Sequence, residues 1–86
     1  MNDVRSKIAR ILADNLALDE SQITDASKFY EDLEVDSLDF CEVIVDIERA
    51  LNITIPDDDV FRLTTFGALV RYVEKKADQR NLREVA

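Results

Sequence analysis

Eighty-six residues, 47% hydrophobic and 35% charged, describe one small globular domain with a single modest core. Histidine is absent and Cys41 is the sole cysteine, which excludes Ser-His-Asp and Cys-His catalysis, a Cys/His zinc site and an intrachain disulfide. The formal net charge of −8 is concentrated between Tyr30 and Val60, where eleven acids face one base, Arg49; a chain so charged offers no basic face to nucleic acid.

The first residues, Met1 to Lys7, have no apolar run behind them, so no signal peptide is expected and the cytoplasm is the default location. Val4, Ile8, Ile11, Leu12 and Leu16 recur at helical spacing and predict an amphipathic helix over residues 3–16. A long connection runs from Ala17 to Asp36. A loop of that length in a small domain is functional or is pinned by its own side chains, here Leu18, Ile23, Phe29 and Leu33. A second helix is expected from about Ser37 to Leu51. Asp36 suits its N-cap, Asp39 suits the positive end of its dipole, and Asn52 suits its stop. Ile53-Thr54-Ile55 alternates as a strand would, but no other run offers it a partner. Pro56 and the run Asp57-Asp58-Asp59 open a short helical turn that ends near Arg62 or Leu63. Thr65 caps a last helix with Phe66, Leu69, Val70 and Val73 on one face. Residues 78–86 read as a polar C-terminal tail behind a domain of residues 1–77. With one Gly and one Pro the chain is predicted all-α, and no stretch approaches the roughly 20 apolar residues of a membrane span.

The second helix carries two apolar stripes. At about 100° per residue, Phe40, Val43, Ile44, Ile47 and Leu51 share a broad core face, with Asp39, Glu42 and Asp46 opposite. Leu38, Cys41 and Val45 form a narrower strip beside the acids. A helix packed on one side needs one stripe, so the second is either an exposed partner patch or a contact with the long loop. Cys41 itself reads as a small buried hydrophobe rather than a reactive thiol. The aspartate run at 57–59 lacks the alternating ligands, central Gly and final Glu of a calcium loop, and no metal site is expected.

Asp36-Ser37-Leu38, preceded by Glu31-Asp32-Leu33-Glu34-Val35 and followed by an acidic amphipathic helix, resembles the phosphopantetheine attachment site of acyl carrier proteins. The resemblance continues through Ile53-Thr54-Ile55-Pro56-Asp57 and Leu63-Thr64-Thr65-Phe66, and covers the chain from Ile8 to about Val73. It implies a four-helix bundle of three main helices and one short one, with a long first loop. It implies a carrier rather than an enzyme, with 4′-phosphopantetheine from coenzyme A attached at Ser37 and Asp36 assisting the modifying transferase. Its partners would be a phosphopantetheinyl transferase and basic-patched acyl-processing enzymes, docking on Leu38, Asp39, Glu42, Val45, Glu48 and Arg49 of a monomer. The acyl chain would tuck between the helices along Val43, Ile44, Ile47, Leu51, Ile55, Val60, Leu63, Leu69 and Tyr72. The same residues are core without any cargo. Two positions depart from the family: Glu34 stands where a Gly is usual, and Arg49 where an acid is usual. Carriage of aminoacyl or polyketide intermediates, or an acidic interaction module that is never modified, are the alternative readings. Ser37 merely helping to cap its helix would be the bland one.

Overall fold

The computed structural model describes the backbone of residues 3–85 and the side chains of residues 4–78. Four α-helices follow in chain order: α1 (Asp3–Leu16), α2 (Ser37–Leu51), α3 (Asp57–Val60) and α4 (Phe66–Val85). The bounds of α1 and α2 match the sequence reading. No strand forms among the described residues, and the run at 53–55 is irregular backbone leading into α3.

Each main helix turns one stripe inward. Ile8 and Leu12 of α1, Val43, Ile44 and Ile47 of α2, and Phe66, Leu69 and Val73 of α4 meet in one core. Removing such side chains from water contributes about 1.5–3 kcal/mol apiece. Helix α2 stops at Asn52, whose left-handed backbone (φ 54°) returns its own amide, and that of Ile53, to the carbonyl of Glu48. Helix α1 is followed by Ala17, also left-handed (φ 55°), with the Leu18 amide bonded to Ala13.

The long connection is built rather than slack. It contains a 3₁₀ turn at Glu20–Gln22, closed by a capping box between Asp19 and Gln22, which the sequence reading did not anticipate. Ile23 and Phe29 are buried and Leu18 and Leu33 half-buried, as pins should be. Its main chain is also sewn to the start of α4. The Phe29 amide donates to the Thr64 carbonyl at 3.1 Å, the Phe66 amide to Ser27 at 3.0 Å, and the Gly67 amide to Asp25 at 3.0 Å. Thr65 Oγ1 accepts from the Ala68 amide at 3.2 Å. The loop carbonyls thus satisfy donors that a helix start otherwise leaves unpaired. Gly67 suits the close approach there, because a Cβ would stand 3.0 Å from the Asp25 carbonyl oxygen and crowd it.

Residues expected as a polar tail are helical as far as Val85; Ala86, and the side chains beyond Asp78, lie outside the described residues. Periodicity could not see this extension, because it has no apolar stripe to track. Its Gln, Arg, Leu and Glu are nonetheless good helix formers with no Gly or Pro to stop them.

Candidate functional site

Ser37 is exposed and opens α2. Asp36, in extended backbone, accepts the Asp39 amide on its side chain at 2.9 Å and the Phe40 amide on its carbonyl at 3.0 Å. The amides of Ser37 and Leu38 donate to nothing among the described residues. An open hydroxyl therefore sits beside two free N–H groups at the positive end of a 15-residue helix, a setting that favours a phosphodiester anion.

The approach to Ser37 is held from behind. Val35 is buried and its amide donates to Phe29 at 2.9 Å. One turn into α2, the Phe40 ring packs on Phe29 at 4.8 Å between centroids and meets Tyr30 edge-on at 6.0 Å. Between these fixed points Glu34 takes a left-handed backbone, φ 54°. That conformation is easy for Gly and costly for a residue with a Cβ, which gives the Gly usual in the resembled family a physical reason.

Two open grooves lie along α2, and Ser37 lines the first of them. The first, about 240 Å³, runs between α2 and α3; Ser37, Phe40 and Cys41 line it from one side and Val60, Phe61 and Leu63 from the other, with Tyr30 at its rim. The second, about 410 Å³, lies on the outer face of α2 over Leu38, Cys41 and Val45, bordered by Glu42, Asp46 and Arg49. The second apolar strip of α2 is therefore exposed, not packed on the loop: Leu38 is 78% and Val45 41% exposed. Cys41, expected buried, is exposed as well, because it lies on that strip and not on the core stripe.

The other expected docking residues divide. Glu42 and Arg49 are exposed and Asp39 is half-buried. Asp46 is engaged by Asn15 of α1, whose Nδ2 donates to it at 2.9 Å, and makes no ion pair with Arg49 among the described residues. Glu48 is half-buried and accepts the Ile55 amide at 2.7 Å, so it fastens the segment after α2.

Of the residues expected to line an acyl pocket, Val43, Ile44, Ile47, Ile55, Leu63 and Leu69 are buried core, and Leu51, Val60 and Tyr72 are half-buried. Only Val60 and Leu63 reach the groove beside Ser37. Tyr72 instead donates its hydroxyl to Asp59 at 2.5 Å, with the Lys76 ammonium 5.6 Å from its ring centre. Burial and then the Asp59 carboxylate push the Tyr72 hydroxyl up to about 12. Sequence reasoning missed Tyr30 and Phe61 at the groove. The available signal was a phenylalanine closing a helical turn that is otherwise acidic.

The family model described as a phosphopantetheine attachment site matches residues 6–73. An acyl carrier protein of Rubrobacter xylanophilus is 44% identical over 71 residues, 83% of this chain and 88% of the relative. One from Thermotoga maritima is 36% identical over 74 residues, 86% and 91% of the two chains. Among solved structures, the acyl carrier protein of Enterococcus faecalis superposes with a TM-score of 0.75 at 28% identity, over 86% of this chain and 94% of that one. A proposed acyl carrier protein from Anaplasma phagocytophilum gives 0.79 at 25% identity, over 86% and 88%. A small helical bundle with an open serine at a helix start, matched over most of its length in sequence and in fold, belongs to the acyl carrier protein family: carriers rather than enzymes, which bear acyl groups as thioesters on covalently attached 4′-phosphopantetheine in fatty-acid and related lipid synthesis.

Proposed function

We propose that Ser37 is the attachment point of the phosphopantetheine arm. The observation that carries this reading is the exposed Ser37 hydroxyl at the start of α2, beside the unpaired amides of Ser37 and Leu38. In loading, the hydroxyl displaces adenosine 3′,5′-bisphosphate from coenzyme A: the serine oxygen gains a bond to phosphorus, the phosphoanhydride breaks, and the serine proton leaves to base. The arm supplies the thiol on which acyl groups ride. The chain supplies the anchoring oxygen, the helix end that favours the phosphodiester charge, and an apolar groove beside it. Asp36 keeps the helix start in register by holding the Asp39 amide. Intact mass after incubation with coenzyme A and a broad-specificity phosphopantetheinyl transferase tests the reading. Wild type should gain one phosphopantetheine and Ser37→Ala none; a modified Ser37→Ala chain, or an arm mapped to Ser21 or Ser27, refutes it.

Leu38, Asp39, Glu42 and Val45 form the docking face for acyl-processing enzymes with basic surfaces, and Arg49 tunes which of them bind. Arg49 is exposed at the end of the acid-bordered groove and is not neutralised by Asp46, which Asn15 engages. A cation there repels part of a basic partner surface. Association rates of wild type and Arg49→Glu with a general fatty-acid synthesis enzyme, measured across a salt series, test this. The variant should associate faster, most clearly at low salt.

A further inference from the structure

We infer that Phe61 is the apolar anchor on which the phosphopantetheine-transferring enzyme seats; the inference rests on the reading of Ser37 as attachment point. Phe61 caps the C-terminal end of α3 and is 80% exposed. Its amide is satisfied by Asp57 and Asp59, so the main chain is fixed while the ring stands in water. Leu38, next to Ser37, is 78% exposed. Phe61 at the end of α3 and Ser37 at the start of α2 line one groove, with the half-exposed Tyr30 at its rim, while Leu38 opens onto the outer groove of α2. Large apolar side chains left open around one groove, here Phe61 and Tyr30, mark a place where another surface closes. An aromatic side chain that a partner buries on docking is where binding energy concentrates.

The position of the groove selects the occupant. The transferase must bring its reacting centre to the Ser37 oxygen, and so must cover the groove wall that Phe61 forms. Enzymes acting on the thioester at the far end of the arm have no such obligation. Charge selects the same partner chemistry. Asp36, Asp57 and Asp58 are exposed around the groove and Arg62 is the adjoining cation, so the complementary surface is an apolar socket with a basic rim. A second copy of this chain would set like carboxylates against each other.

The test separates binding from chemistry. Calorimetric titration of a broad-specificity transferase with Ser37→Ala, and with Ser37→Ala/Phe61→Ala, reads affinity with transfer blocked. Steady-state transfer to wild type, Phe61→Ala and Phe61→Leu, followed by intact mass, reads KM and kcat. Truncation of Phe61 should raise both Kd and KM about tenfold and leave kcat within roughly twofold. Phe61→Leu should recover most of the loss, and the melting temperature should stay put because the ring is exposed. Unchanged Kd and KM overturn the inference. So does an effect confined to hydrolysis of an acyl thioester on the loaded chain, which assigns the ring to cargo, or to self-association, which assigns it to a second copy. A wild-type chain that is never modified at Ser37 overturns the underlying reading instead.

Discussion

The carboxylate of Glu48 accepts the amide of Ile55 at 2.7 Å, across the irregular segment that joins α2 to α3. Ile55 is buried, so its amide has little access to water. Glu48→Ala should cost about 1–3 kcal/mol by stranding that donor. Glu48→Gln, which keeps an acceptor oxygen, should recover most of the loss. Urea titration of the three proteins checks this; equal stability of the alanine variant and wild type would return Glu48 to the surface.

Tyr72 ties α4 to α3 through Asp59. Its hydroxyl is raised from 10.0 to about 12, and a raised acid group favours the fold while it stays protonated. The contribution is complete below pH 10 and fades as pH climbs from about 10 to 12. Melting temperatures of wild type should therefore fall more steeply across that window than those of Tyr72→Phe. In a Tyr30→Phe background, ultraviolet titration of the remaining tyrosine should show a midpoint near 12. A midpoint near 10 would mean the Asp59 bond is not kept in solution.

Glu34 holds a left-handed backbone at φ 54° just before α2. Gly would remove a strain of about 1–2 kcal/mol and lose about 0.4–1 kcal/mol through its freer unfolded chain. Glu34→Gly should therefore be neutral or up to about 1.6 kcal/mol more stable. Glu34→Val, with a branched Cβ in the same conformation, should be clearly less stable. Thermal melts of the pair decide it, and a stabilising valine would contradict the assigned backbone.

Val45 and Ile47 lie two residues apart on faces with opposite fates. Val45 is 41% exposed over the outer groove and Ile47 is wholly buried. Val45→Ala should change stability by no more than about 0.5 kcal/mol, whereas Ile47→Ala should cost about 2–5 kcal/mol. Similar losses in denaturant would show that the partner strip is packed.

Gly67→Ala sets two effects against each other. Ala is favoured over Gly inside a helix by about 1 kcal/mol. Its Cβ would press on the Asp25 carbonyl oxygen, the same atom that accepts the Gly67 amide. Backbone cannot swing aside as a side chain can, so crowding of about 1–3 kcal/mol should win and the variant should melt lower. A higher melting temperature would show that the loop gives way.

The bounds of α1 and α2, the caps and the core stripes were legible because each is local or periodic. Asp36 and Asn52 are chosen by the backbone beside them, and Phe40, Val43 and Ile47 by a 3.6-residue repeat. What was not legible depends on partners distant in sequence. Nothing near Glu48 announces that its oxygen meets Ile55, and nothing near Tyr72 points to Asp59. Cys41 was misplaced because small apolar residues are more often inside, a prior that its position on the second stripe should have outweighed. Phe61 was overlooked because one aromatic in an acidic turn has no period to betray it.

The carbonyls of Asp25 and Ser27 that receive α4 also give order to events during synthesis and opening. Until Thr64, Phe66 and Gly67 have been made, the segment leading to Ser37 has only its own local main-chain bonds, such as Val35 to Phe29, however early α1 and α2 pair. Once the seam forms, the amides of Phe29, Phe66 and Gly67 should exchange with deuterium as one group at the slow rate of whole-molecule opening, although they sit on separate stretches of chain. The four residues of α3 lack such a seam and should exchange sooner. Ser37 would then meet its modifying enzyme in a fixed setting only after Gly67 has emerged and joined the seam.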